Sequence, residues 1–464
     1  MSLRLFARSF SSLSLFFIVG TSGCGSSDDG AAPVDSAPAD AGNDGPIADV
    51  GDAADTIDAA PPPAVVISAA DDSKYEAEPQ IAIAPDGTIG VAWIGTPNTT
   101  EHPTAIGYAF SRDHGATFSA PQYIFVTKTL IAGDPSIAAT KDSAFHLSFI
   151  DVIFDSKGPV SGHVFMAIAP PGAAKFNDAV EVSDPATVMF RDHPKLAITA
   201  AGTTIIAYLE SPDGTAIGNQ GVAGTSKDGL TWSRSIIAPS DKGGGSFFFP
   251  CQAKEGGRVY MPYLGPTGAI NGILLRTSDD EGATWSTKAT TVTTTRDPQV
   301  ANHDPSCAAA GDDVWIDYDI STVPPATADE GDQQPGTAIR VAHSADRGQT
   351  IALRIDATDP AAPKQNLFST IARTDDGALH LAYYAGTGDG DTAAMLRHAR
   401  STDLAAFEPS ESIDGPLLFQ LKRASADWLG DYISAVHDGN DLWVAWTTNA
   451  SGTSHIAVRR LPAH

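Results

Sequence analysis

The 464-residue chain is poor in cysteine, with three, in methionine, with five, and in basic residues, with 29 lysines and arginines against 56 aspartates and glutamates. Three cysteines exclude a disulfide-dense scaffold and a zinc site of the paired CxxC type. The formal net charge of −27 argues against nucleic acid as a partner, because neutralising phosphates takes a basic surface. Charged residues make up only 18% of the chain, and its N-terminal apolar run, residues 13–19 (LSLFFIV), is far too short to span a bilayer as a helix. Glycine and proline are abundant instead, 43 and 32, beside 42% apolar residues. That balance describes a turn-rich β protein, long enough for one large domain or two to three ordinary ones, with a well-buried core.

The N-terminus carries an address. Arg4 and Arg8 precede the apolar run, and Thr21-Ser22-Gly23-Cys24 follows it with small residues ahead of a cysteine. This tripartite pattern reads as an export signal. Its ending on Gly23-Cys24 resembles the lipobox of bacterial lipoproteins, which implies cleavage after residue 23 and lipidation of Cys24. The expected location is therefore exported and lipid-anchored, at the outer membrane or cell surface of a Gram-negative bacterium, with the membrane as a partner through the acyl chains alone. Residues 24–63 read as a tether: after Cys24 they contain nine Asp, no Lys or Arg and no aromatic residue. Such a stretch buries too little to offset its ordering entropy, and its like charges favour extension.

From residue 64 to 464 one short pattern recurs seven times, small or apolar residues ending on an aromatic. The aromatics are Trp93, Phe149, Tyr208, Tyr263, Tyr318, Tyr383 and Trp446, spaced 56, 59, 55, 55, 65 and 63 residues apart. A second column lies 13 or 14 residues upstream of each, at Pro79, Pro135, Pro194, Pro250, Pro305, Ser369 and Tyr432. Alternating strands follow downstream, as at 105–110, 273–276, 339–343 and 456–459. Each unit thus reads as four strands with period-2 alternation and no helix between units. Three columns in register over seven units predict an all-β fold, a propeller of seven four-stranded antiparallel blades. The seventh unit contains only three strands before the chain stops, while residues 65–68 (VVIS) form a strand with no partner of their own. Pairing that strand with the last blade closes the ring and removes two exposed edges.

The turn between third and fourth strands carries a box. It reads SRDHGATF at 111–118, SDDEGATW at 278–285 and SADRGQTI at 344–351, with a shortened copy SKDGLTW at 226–232 and a degenerate one from Ser401 to Phe407. These resemble the Asp-box, S-x-D-x-G-x-T-W, of the sialidase superfamily, whose BNR repeats build β-propellers. The aspartates of the motif are Asp113, Asp228, Asp280, Asp346 and Asp403. An aspartate there accepts backbone N–H bonds across the turn, the glycine permits positive φ, and the aromatic tucks between sheets. The resemblance implies a structural role, on the face opposite the active site.

The other face is where the innermost strands are expected to begin. The residues just before the proline column there include Glu78, Asp134, His193, Asp304 and Asp431, with Asp192 and His303 one step further back. The second strands return to the same face at Asp151, Glu210 and Asp319. So many carboxylates in one mouth repel one another unless something compensates. Three roles stand open: carboxylates that accept backbone N–H bonds, a site for a cation such as Ca²⁺, or a site for a polar ligand or acid–base chemistry. The sialidase resemblance implies three arginines gripping a carboxylate, a tyrosine paired with a glutamate, and an acidic aspartate. Its Phe-Arg-Ile-Pro motif is absent; Glu78-Pro79-Gln80-Ile81 stands in its place. Arg191, Arg296 and Arg423 lie near the mouth, but no spacing makes them a clamp, and Tyr384 and Glu210 have no pattern joining them. Seven units also depart from the family's six blades. The expected function is a ligand-binding propeller for a glycan, peptide or protein, without sialidase catalysis; the alternative is a glycoside hydrolase of exo-sialidase type or a polysaccharide lyase. Cys251 and Cys307 fall near the starts of adjacent innermost strands, as a disulfide or as a buried thiol pair, with offsets from the column that differ by one.

Overall fold

The computed structural model describes residues 62–462, apart from segments 69–74, 97–103, 125–130, 156–157, 185–188, 212–218, 241–243, 246, 254–256, 267–270, 294–303, 322–336, 359–364, 389 and 422–424. The export signal, Cys24, almost all of the tether, Arg296, His303 and Arg423 lie outside the described residues. Numbered along the chain β1 to β28, the strands form seven antiparallel sheets of four. The first strand of each blade lies against its neighbours around the axis: β2 (Glu76–Ile83), β6 (Ile131–Ala139), β10 (Phe190–Ile198), β14 (Cys251–Gln252), β18 (Ser306–Ala310), β22 (Gln365–Arg373) and β26 (Ser434–Asp438).

The last blade is closed by the chain's beginning. Its order is β26, β27 (Asp441–Thr448), β28 (His455–Leu461) and then β1 (Val65–Val66), with Val65 opposite Val458 and Val66 opposite Ala457. Two further bonds extend the ladder: Ile67 N–H donates to the Ile456 carbonyl at 2.9 Å, and Ile456 N–H donates to Ser68 Oγ at 2.8 Å. Ile67 and Ser68 are buried there, so a sheet edge that would expose β28 is covered.

The seven recurrent aromatics are all buried, at 0–2% exposure. They sit in second strands sandwiched between adjacent blades, where both faces are apolar and a large ring fills the wedge that widens from the axis. The box turns behave as polar staples. Asp113 Oδ1 accepts from Ser111 Oγ at 2.8 Å and from Thr117 N–H at 2.9 Å, and Gly115 N–H donates to Ser111 Oγ at 2.8 Å. Asp280 and Asp346 repeat the bond to the threonine N–H, each at 2.8 Å, Asp228 bonds Thr231 N–H at 2.7 Å, and Asp403 bonds Ala405 N–H at 2.9 Å. Gly115 needs its φ of 81°, and a Cβ on it would run into the Trp443 ring of the neighbouring blade.

One expectation is corrected. The proline column does not start the innermost strands of blades 1, 2, 3 and 6; those strands begin three to four residues earlier. Pairing is instead interrupted at the column by a bulge, between Ala77 and Gln80, Gly133 and Ser136, Asp192 and Lys195, and Leu367 and Thr370. The bulged residues Glu78, Asp134, His193 and Phe368 all take left-handed backbone, with φ of 57°, 49°, 50° and 55°. A bulge absorbs a proline that offers no N–H to the ladder, and it re-aims the residue before it.

Candidate functional site

Beyond the bulges the innermost strands are joined by a repeated diagonal contact. Ser136 Oγ accepts from Leu196 N–H at 2.9 Å, Ser306 Oγ from Ile371 N–H at 3.0 Å, and Ser434 Oγ from Ile81 N–H at 3.4 Å. Each runs from the residue after the column in one blade to the second residue after it in the next, counting Ile433 as the column in blade 7. Cys251 and Cys307 occupy the same two offsets in blades 4 and 5, and they form a disulfide with Cα atoms 5.8 Å apart. The unequal offsets are therefore what this inter-blade geometry requires. Beside these contacts lies an axial cavity of about 120 Å³, lined by Gln80, Ser136, Ser306, Thr370 and Ser434 and by Lys195.

At the mouth of that cavity the bulges converge. His193 Nδ1 lies 3.8 Å from Asp134 Oδ1 and 3.9 Å from Asp304 Oδ2, and Asp304 Oδ2 is 4.0 Å from Lys195 Nζ. Glu78 and Asp134 are buried beside them, with Asp192 and Asp431 half-buried. The Lys195 ammonium sits 3.3 Å from the centre of the Tyr432 ring and 4.7 Å from that of Phe249. Phe247 meets the His193 ring edge-on at 4.7 Å. Of the residues gathered from the sequence, Glu78, Asp134, Asp192, His193, Asp304 and Asp431 come together here, and Lys195, Tyr432 and Phe247, which the sequence did not mark as site residues, stand among them. Lys195 stands two residues after His193, just past the bulge and in an otherwise apolar run, Lys195-Leu196-Ala197-Ile198, and that isolated charge was the available signal.

Burial and charge oppose each other here. Burial disfavours the Lys195 ammonium and lowers its pKa, against the pull of Asp304, Asp134, Glu78 and Asp192. Burial likewise works against a charged His193, yet Asp134, Asp192 and Asp304 together hold its pKa above the ordinary value. Asp304 is raised, first by burial, with Asp134 and Asp431 adding to the rise and His193 and Lys195 opposing it. Tyr432 is pushed well above the usual phenol, by burial and then by the carboxylates of Glu78, Asp134 and Asp304; its hydroxyl donates to the Pro135 carbonyl at 3.4 Å.

Other candidates are used elsewhere. Arg191 is fully buried between blades 2 and 3, donating to Glu210 at 3.2 Å and to the carbonyls of Gly162 and Asp184, each at 3.1 Å. Glu210 is held from its other side by Arg234 at 2.5 Å. Neither is offered to the mouth, because a buried carboxylate already paired with two guanidinium groups has its charge satisfied. Tyr384 donates to the Thr447 carbonyl at 2.6 Å, remote in its bonding from Glu210. Asp319 accepts from Ser369 Oγ at 3.4 Å. Asp151 is buried opposite His163 in its blade, and burial raises its pKa to about 7. Among the described residues, no arginine joins the axial cluster.

No known sequence family matches the chain, and no curated protein matches it. Among solved structures, a protein of unknown function from Dyadobacter fermentans superposes with a TM-score of 0.51 at 16% identity, over 87% of this chain and 99% of that one. A Hadza microbial sialidase follows at 0.48 and 14% identity, over 67% of this chain and 63% of its own. An α-L-arabinofuranosidase of Fusarium graminearum, solved with arabinobiose, gives 0.47 and 11% identity over 86% and 96%. At these identities the likeness is one of fold: a closed all-β propeller, here with seven four-stranded blades.

Proposed function

We propose that this propeller is an exported, lipid-anchored binding module whose axial face receives an extracellular ligand, a glycan, peptide or protein segment, without sialidase catalysis. The observation that carries the reading is the charge of the mouth. Glu78, Asp134, Asp192, Asp304 and Asp431 meet there, and among the described residues no arginine joins them, so a sialic acid carboxylate would be repelled where a sialidase grips it. The carboxylates and the part-exposed rings of Phe247 and Phe249 suit a neutral sugar, whose hydroxyls donate to carboxylates while its ring stacks on an aromatic. The Arg4 to Cys24 pattern supports the anchored part of the proposal.

The test is a glycan array with neutral and sialylated members, followed by calorimetry on the hits and a fluorogenic sialoside assay. Binding of a neutral glycan that Asp134→Asn weakens at least tenfold, with no sialoside turnover, is the expected result. Sialoside turnover that Tyr432→Phe abolishes would overturn it. For the anchor, Cys24→Ser is expected to move the protein from the detergent phase to the aqueous phase; unchanged partitioning would refute lipidation. A second reading, a glycoside hydrolase, draws on the close approach of Asp134 and Asp192, whose carboxylate oxygens lie within 4.8 Å of each other. Turnover of any aryl glycoside that Asp192→Asn abolishes would favour it.

A further inference from the structure

We infer that the axial mouth is a site for a divalent transition metal, of the Mn²⁺ or Zn²⁺ type, held by Asp134, Asp192 and His193 with Asp304 at its edge. One ligand atom from each of the first three residues lies within 4.8 Å of the others. Metal–ligand bonds of about 2.0–2.2 Å place neighbouring donors about 3–3.8 Å apart at angles of 90–120°. The gap from His193 Nδ1 to Asp134, 3.8 Å, falls at the upper end of that span, the 3.9 Å to Asp304 lies just beyond it, and both are well beyond a hydrogen bond.

An independent feature points the same way. His193 is nine-tenths buried, and its Nδ1 makes no hydrogen bond although two carboxylates face it. Elsewhere in this chain more exposed imidazole–carboxylate pairs close fully, His163 with Glu181 at 2.7 Å and His343 with Asp313 at 2.6 Å. The bulge at His193 holds its ring in a position that neither carboxylate completes, which is the arrangement a central ion would complete. The imidazole decides the metal. An all-oxygen shell would suit Ca²⁺, whereas a mixed nitrogen and carboxylate set suits Mn²⁺ or Zn²⁺. Lys195 remains outside the donor set as the counter-ion of Asp304.

The inference shares its location with the proposed binding face but needs no glycan for its test. The full chain, stripped with EDTA and desalted, is titrated with MnCl₂ followed by electron paramagnetic resonance of free Mn²⁺, and with ZnCl₂ by calorimetry. CaCl₂ is the comparator. One equivalent is expected to bind, and His193→Ala and Asp192→Asn should each weaken binding at least a hundredfold. Asp192 does not hold the left-handed backbone of the bulge, so its variant keeps the test open where His193→Ala fails to fold. No saturable uptake of either metal, uptake unchanged in Asp192→Asn, or equal uptake of Ca²⁺ would overturn the inference. Each of those outcomes leaves the glycan screen to be judged separately.

Discussion

Replacing Lys195 by methionine keeps the length of a buried side chain and removes its ammonium from the axial cluster. Its Nζ lies 4.0 Å from Asp304 Oδ2, where two unit charges at an effective dielectric near 20 attract by about 4 kcal/mol. The substitution strands Asp304 in a buried site, a change that costs about 3–5 kcal/mol in comparable pairs. For a domain of this size that is a fall in Tm of roughly 5 °C. Adding Asp304→Asn removes the stranded charge, so the double variant should recover at least half of the loss. The deficit should also depend on pH. Asp304 already has a raised pKa, and losing Lys195 raises it further. A carboxyl whose folded pKa exceeds its unfolded one contributes stability below the unfolded value, about pH 4, and loses it as pH rises through the folded value. Lys195→Met should therefore be most damaging at neutral pH and nearly harmless at about pH 4. Guanidinium unfolding of the wild type, both single variants and the double, at neutral and acidic pH, gives the cycle. A coupling below about 0.5 kcal/mol, or a deficit that grows on acidification, would refute the shared-charge account.

Asp151→Asn should raise the melting temperature at pH 8 and leave it unchanged near pH 4, because burial lifts the Asp151 pKa to about 7 and the folded state carries a costly charge only above that; a pH-independent effect would contradict this. Reducing or replacing the Cys251–Cys307 bridge, which joins residues 56 apart, should cost up to about 4 kcal/mol by loop entropy. With Cys307→Ala in place, Cys251→Ser should be about 1 kcal/mol more stable than Cys251→Ala, since a serine at that offset can accept the neighbouring blade's N–H as Ser136 does. Equal unfolding midpoints for the two would refute the diagonal contact. Deleting residues 65–68 buries less of β28 and loses its edge bonds, at a cost of about 5 kcal/mol; deleting 25–55 should leave the melting curve where it was, and similar losses from both would argue against closure through β1.

The blade count and the closure were legible because they rest on packing. A second strand buried on both faces demands an aromatic at the same place in every unit, and Trp93 to Trp446 supply it. The proline column was found but misread, because a proline looks like a strand start when only its missing N–H is considered. Pairing on both sides of Pro79, Pro135 and Pro194 depends on left-handed backbone at Glu78, Asp134 and His193, for which Glu gives no signal and Asp and His only a weak enrichment. The same gap hid the site's centre. The polar residues before the column stand out from their neighbours, whereas Lys195 lies just past it, inside the strand's apolar run. Arg191 and Glu210 misled for a different reason: strand ends facing the mouth also face the neighbouring blade, and only packing shows which one they serve.

The first strand has a mechanical side. β28 runs from the mouth toward the box turns, so β1, antiparallel to it, enters from the box side, where Arg459 also grips the Pro62 carbonyl at 3.0 Å. Whatever precedes Pro62 is thus joined on the side away from the axial cluster. A pull from that direction runs along β1 and shares its load among the bonds at Val65, Val66, Ile67 and Ser68 at once, in shear, instead of peeling them one by one. The strand that completes the seventh blade is also the one that would carry any tension applied through the chain before Pro62.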